Sequence, residues 1–163
     1  MDDLTLRVAS PDDLDRIVRV FLECWRQSYV GVLPSSVIDE MTDGRADALW
    51  QRVLASHEGE VVVAEDGREL LGLTRYARIG NKGAVHSLYV APGVHGQGVG
   101  GRLLGHAETR LHAQGASVVR LWVFAANAGS LGFYRAHGWQ PDGEQRVEDE
   151  FGEPELRLTK ALG

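Results

Sequence analysis

The chain has 163 residues, 44% of them hydrophobic and 25% charged, the balance of an ordinary globular domain long enough to bury a core. Its formal net charge is -6 and it carries no Lys/Arg run, which argues against a nucleic-acid partner, because phosphate binding needs a basic footprint. A single cysteine, Cys24, leaves no internal disulfide and fits a reducing, cytoplasmic setting, and no CxxC or dense Cys/His cluster points to a metal.

The opening stretch MDDLTLRVAS is acidic and has no long apolar core, so no secretory leader is expected. No apolar run approaches the roughly 20 residues that span a bilayer, so no membrane partner is expected either. Leu4 to Ala9 reads as a short strand with apolar residues at Leu4, Leu6 and Val8. Ser10, Pro11, Asp12 and Asp13 form a helix start: Ser10 caps, Pro11 suits the first helical position, and the two acids favour the positive end of the helix dipole. Leu14, Ile17, Val18, Phe21, Leu22 and Trp25 follow at helical spacing and predict one buried face. A second helical region covers Pro34 to Ser56, with breaks near Asp43 and Gly44.

Glu60 to Gly80 reads as a hairpin that turns at Asp66-Gly67. Gly83 to Ala91 is a further strand, stopped by Pro92. Gly98 to Gln114 is a helix with Leu103, Leu104, Ala107 and Leu111 on one face, ended by Gly115. Ser117 to Phe124 reads as a buried strand. Asn127 caps a helix that runs to His137 and closes at Gly138, and the tail from Gln145 to Leu162 reads as two strands around a turn. The order predicts one α+β domain over residues 1–163. Its central sheet is mixed but mostly antiparallel, helices flank it, and one strand-helix-strand crossover surrounds a glycine-rich loop.

That loop is VAPGVHGQGVGGRLL, Val90 to Leu104, with five glycines. Gly96 to Gly101 matches G-x-G-x-x-G, the dinucleotide fingerprint, but the surroundings do not. Ala91 to His95 separate the glycines from the strand, residues 115 to 126 hold no acid for a ribose, and several strands precede the loop. No GK[ST] follows, which excludes a Walker A loop. The anion-binding physics survives: successive backbone N–H groups at a helix start make a positive cavity, and glycine leaves it open. A glycine-rich turn with tight helix packing is the other reading.

The blocks LYVAPGVHGQGVGGRLL and NAGSLGFYRAHGW, in this order and spacing, resemble the GNAT superfamily of acyl-CoA-dependent N-acyltransferases. The first is similar to its pyrophosphate signature, Arg/Gln-x-x-Gly-x-Gly/Ala, and the second to the Asn-led helix with an aromatic pair that follows. The close match runs from about Val61 to Trp139, and LECWRQSYVGVLP also looks like a common bacterial variant. One position departs: His95 stands where the family has Arg or Gln, and a neutral imidazole supplies less positive charge.

The resemblance implies a pair of strands that splay apart, with the pantetheine arm of acetyl-CoA between them. Leu88, Tyr89 and Val90 would line the arm. His95, Gly96, Gln97, Gly98, Val99, Gly100 and Gly101 would hold the pyrophosphate, with Arg102 able to add charge. Asn127 would cap its helix and touch the arm, Ser130 and Phe133 would face the cofactor, and Arg135 would reach solvent or a nucleotide phosphate. Tyr134 would protonate the departing thiolate once an amine has attacked the thioester, since a phenol with a reference pKa of about 10 is protonated at neutral pH.

The Glu that serves some members as base is Ala84 here. His86, two residues on, resembles in position a His of the arylalkylamine N-acetyltransferases and is the candidate base, with Glu23 and Glu148 weaker ones. Glu23, Trp25 and Tyr29, with Asp149, Glu150 and Phe151 from the last hairpin, would shape the substrate pocket. The expected activity is direct transfer from acetyl-CoA to a primary amine, on a small molecule or a protein, without metal. Cys24 lies away from both motifs, so no acetyl-Cys is expected. A homodimer is a possible assembly, and a non-catalytic acyl-CoA sensor is the alternative function.

Overall fold

The computed structural model describes residues 3–163. Seven strands form one sheet: β1 (Leu4–Val8), β2 (Glu60–Asp66), β3 (Glu69–Ile79), β4 (Lys82–Val90), β5 (Val118–Phe124), β6 (Gln140–Val147) and β7 (Pro154–Ala161). Their spatial order is β1-β2-β3-β4-β5-β7-β6, and every neighbouring pair is antiparallel except β4 and β5. The expected mixed, mostly antiparallel α+β plan is therefore what the chain adopts.

Helices α1 (Leu14–Glu23), α2 (Ser35–Asp39) and α3 (Asp43–Ala55) contribute to one core, in which Ile17, Phe21, Trp50, Val63 and Leu73 are almost wholly enclosed. Helices α4 (Val99–Ala113) and α5 (Ala128–Ala136) contribute to the other, where Leu103, Leu104, Ala107 and Leu111 meet Val62, Val85, Val119 and Leu121. The alternation of β2 explains the division: Val62 and Ala64 join one core and Val63 the other. Among the described residues, no helix is long and apolar enough to cross a membrane.

Two expected helical regions gain detail and one strand boundary differs from the sequence reading. The first helix reaches Trp25, as its spacing predicts, but widens into a π-turn over Cys24–Ser28, which keeps Trp25 buried with its indole N–H donating to the Ile38 carbonyl at 3.2 Å. The region after Pro34 is two helices with the break where it is expected, since Thr42 accepts the Arg45 N–H at 3.2 Å and α3 starts at Asp43. β6 begins at Gln140 rather than Gln145. All its residues are exposed, so it has no apolar alternation to read, and its register with β7 jumps between Pro141 and Gln145.

Asp13 does more than complement a helix dipole. It is buried, accepts the Ser10 N–H at 2.8 Å, and binds Arg7 at 2.8 and 2.9 Å and Arg16 at 2.5 Å. These contacts, the Arg7 hydrogen bonds foremost, lower its pKa from 3.8 to about 2. A depressed carboxyl pKa stabilises the fold fully above the unfolded value and loses that stabilisation as pH falls through the folded value. Unfolding free energy should therefore decline between about pH 4 and pH 2, on the order of 2 kcal/mol from this group. Denaturant titrations across that range should show a shallower decline in Asp13→Asn. An equal slope in both proteins would remove Asp13 from the account.

Candidate active site

β4 and β5 pair at only three positions: Lys82 with Val118, Gly83 with Val119 and Ala84 with Arg120. Beyond Ala84 the strands diverge, and a cleft of about 590 Å³ opens between them. Its walls carry Leu88 and Tyr89 from β4 and Leu121 to Phe124 from β5. Val90 does not line it. The Val90 carbonyl is occupied, accepting the Cys24 thiol at 3.0 Å and lying 2.9 Å from His95 Nε2.

His86 sits where the β3–β4 register slips. Arg75 faces Ser87 and Tyr76 faces Val85, so His86 is the extra residue of a β-bulge. Strict alternation fails there: Val85, Leu88 and Val90 share the α4-side core while Tyr89 joins the α1-side core. A bulge re-aims its residue, and His86 lies in the cleft wall. The residue is exposed overall, yet the wall withdraws enough water from its ring to lower its pKa below 6.5, and the Arg75 charge adds to this. The free-base imidazole that results is a proton acceptor at neutral pH.

The glycine loop has two kinds of glycine. Gly96 and Gly98 have φ of 80° and 86°, the left-handed region that side chains disfavour. Gly100 and Gly101 sit in close contact instead. A Cβ on Gly100 would stand 3.2 Å from the Phe133 ring, and one on Gly101 3.0 Å from His137 Nε2. The second pair lets α5 approach α4, so tight helix packing accounts for those two glycines. The first intrahelical bond runs from the Arg102 N–H to the Gly98 carbonyl, and no side chain caps α4. The N–H groups of Val99, Gly100 and Gly101 are therefore left for another acceptor.

Two side chains of this loop are placed otherwise than the motif implies. His95 folds back onto the end of β4, as above, and Arg102 donates to the Leu4 carbonyl at 3.2 Å, tying α4 to β1. In α5, Asn127 Oδ1 accepts the Ser130 N–H at 3.1 Å, the cap expected of it, and both residues line the cleft. Phe133 covers Gly100 and stacks 4.5 Å from His137. Tyr134 is buried in the cleft wall, and burial raises its pKa well above the usual phenol range.

At the far side of the cleft Trp25, Tyr29, Phe124 and Phe151 form a closed aromatic ring, with successive centroids 4.9 to 5.7 Å apart. Burial pushes the Tyr29 hydroxyl up to about 12. Glu23 is not there. It lines a separate shallow groove with Asp15, Arg19 and Arg26. Asp149 is exposed, and Glu150 pairs with Arg45 at 2.5 Å, outside the cleft.

Residues not anticipated from the sequence take these places. Glu155 is 6% exposed in the cleft, held by Arg146 at 3.2 Å, and burial raises its pKa. Arg146 also binds Glu148 at 2.5 Å and lies 4.3 Å over the Trp122 ring. Arg157 pairs with Asp142 at 2.6 Å, and Arg120 sits where the strands part.

Comparison with known proteins gives a consistent answer. The model of the acetyltransferase (GNAT) family matches residues 15–139. A Mycobacterium tuberculosis relative, named as a probable N-acetyltransferase, is 26% identical over 146 residues, covering 86% of this chain and 82% of its own. The spermidine N(1)-acetyltransferase of Thermoplasma acidophilum is 26% identical over 163 residues, covering 91% of this chain and 92% of its own. The crystal structure of the PaiA N-acetyltransferase of Thermoplasma acidophilum in complex with coenzyme A is similar with a TM-score of 0.78. It is 23% identical and covers 98% of this chain and 99% of that one.

Proposed function

Because the chain belongs to the GNAT family and is an acyl-CoA-dependent acetyltransferase, we propose that it transfers an acetyl group from acetyl-CoA directly to a primary amine within a ternary complex. The observation that carries this is the wedge between β4 and β5, which part beyond Ala84 toward the end of β4 and have Tyr134 in the wall between them. Free N–H groups beside bare glycine backbone suit a pyrophosphate, and an open strand edge suits an extended amide arm. Acetyl-CoA would thus be held by the Gly96 to Gly101 backbone and by Leu88 and Tyr89, and it supplies the activated acyl group.

The protein's own part is proton handling. His86 accepts a proton from the acceptor nitrogen as the new C–N bond makes that nitrogen acidic. Tyr134 presents a phenol to the departing sulfur. Its pKa lies above that of a thiol, about 8.5 by the cysteine reference, so it acts by hydrogen bonding as negative charge develops there. Cys24 lies against the first motif, at Val90, and not away from it as expected, but it still supports direct transfer: burial pushes its thiol up to about 12 and it is spent on the Val90 carbonyl.

If His86 is the base, kcat/KM falls as pH drops through a value below 6.5, because only the neutral ring accepts the proton. In His86→Ala that acidic limb should vanish and the rate at pH 7 fall by about 100-fold. A limb that survives unchanged assigns the role elsewhere in the cleft. The activity itself is tested by thermal shift with acetyl-CoA, CoA and NAD, followed by thiol release with an amine panel. A ligand at about 100 times its Kd adds roughly 2.7 kcal/mol. No shift with either CoA species, or no amine-dependent thiol release, would end the proposal.

A further inference from the structure

Four cations line the cleft, and three are accounted for. Arg146 is shared between Glu148 and Glu155, Arg157 is paired with Asp142, and Lys82 is exposed at the rim. Arg120 differs. Its Nε–H is buried with no partner among the described residues, at the point where β4 and β5 separate. A buried donor without an acceptor is costly, and a guanidinium left so in a cleft matches a planar anion. Asp142, the nearby acid whose pKa Arg120 helps to lower, is already engaged by Arg157 and by the Glu144 N–H.

We propose that Arg120 anchors a carboxylate of the acceptor, so that the molecule acetylated is a small amino acid, not a simple amine or a polyamine. This rests on the acetyl-transfer reading above. Geometry supports it. Ala84 lies opposite Arg120, and His86 is two residues further along β4, roughly 7 Å of strand. One small molecule can therefore place its anion on Arg120 and its nitrogen before His86. The anion-binding start of α4 lies at the other, open end of the wedge, beside Val90, so the two anion sites do not compete. Both cleft acids, Glu148 and Glu155, are already bound to Arg146, so neither stands without a cationic partner.

The test compares L-leucine, L-methionine, L-phenylalanine and L-glutamate with their α-carboxamides and decarboxylated amines as acceptors. The best acid should exceed its amide in kcat/KM by on the order of 10- to 100-fold. Arg120→Gln should bring that ratio near 1 through KM, and Arg120→Lys should keep part of it. Independently of turnover, binding of the amine-free carboxylates 4-methylpentanoate and 3-phenylpropanoate is followed by calorimetry, with circular dichroism to verify folding. Arg120→Gln should weaken it at least 10-fold. Amides or amines acetylated as well as the acids, or a ratio and affinity indifferent to Arg120→Gln, overturn the assignment. If acetyl-CoA neither binds nor turns over, the acetyl-transfer reading fails by itself, and the carboxylate titration still decides Arg120: failure of both probes to bind overturns it.

Discussion

Tyr134→Phe is expected to lower kcat by about 100-fold and to leave acetyl-CoA affinity within about two-fold of wild type. The substitution deletes one hydroxyl and retains the ring that packs 5.2 Å from Phe133 and 5.9 Å from Trp139. Cofactor binding and the α5 fold should therefore persist. The loss falls on the step in which sulfur departs, so steady-state kcat and a CoA thermal shift, measured on the same preparation, separate the two effects. Turnover equal to wild type would reduce Tyr134 to a packing residue. A collapse in CoA affinity with little change in kcat would make it part of the binding surface.

Gly100→Val is expected to cost both stability and cofactor. Its added carbon would meet the Phe133 ring at 3.2 Å and the Val90 side chain at 3.5 Å, and the ring is itself wedged against His137. Overpacking of this kind costs about 1–3 kcal/mol. It would also displace the first turn of α4, whose N–H groups are proposed to hold the pyrophosphate, so CoA affinity should fall by more than about 10-fold. Gly105→Ala is the control. It lies in the same helix with open space around it and should be neutral or stabilising. Thermal melts with and without CoA read both quantities. If Gly100→Val binds CoA as tightly as wild type, the loop glycines serve only the approach of α5.

Much of this molecule is legible in its sequence, for identifiable reasons. The glycine block and the Asn127 helix are local patterns, and the fold places them side by side, with Phe133 over Gly100. Strands with clear alternation or apolar runs, such as β2 and β5, are found where expected. What is hidden depends on register. His86 is in the cleft because β4 carries one residue more than β3 allows, and nothing in HSLYV announces a bulge. Glu155 and Arg146 meet across β6 and β7, and β6 has no apolar face to declare it a strand. Glu23, which the family resemblance implies for the substrate pocket, faces the groove beside Asp43 and Asp47 instead.

The three-residue pairing of β4 and β5 has a mechanical meaning. The sheet is two plates, one of four strands and one of three, sharing a seam much shorter than either. Few backbone rungs cross that seam, so they do little to hold the plates at a fixed angle. The lamination comes from beneath, where Leu103, Leu104 and Leu111 of α4 lie under Val85 of one plate and Val119 and Leu121 of the other. The gape of the wedge is thus set largely by side-chain volume, in this layer and in the Phe124 contacts of the opposite face. A methyl group gained or lost there, far from any reacting atom, would change how wide the plates stand apart.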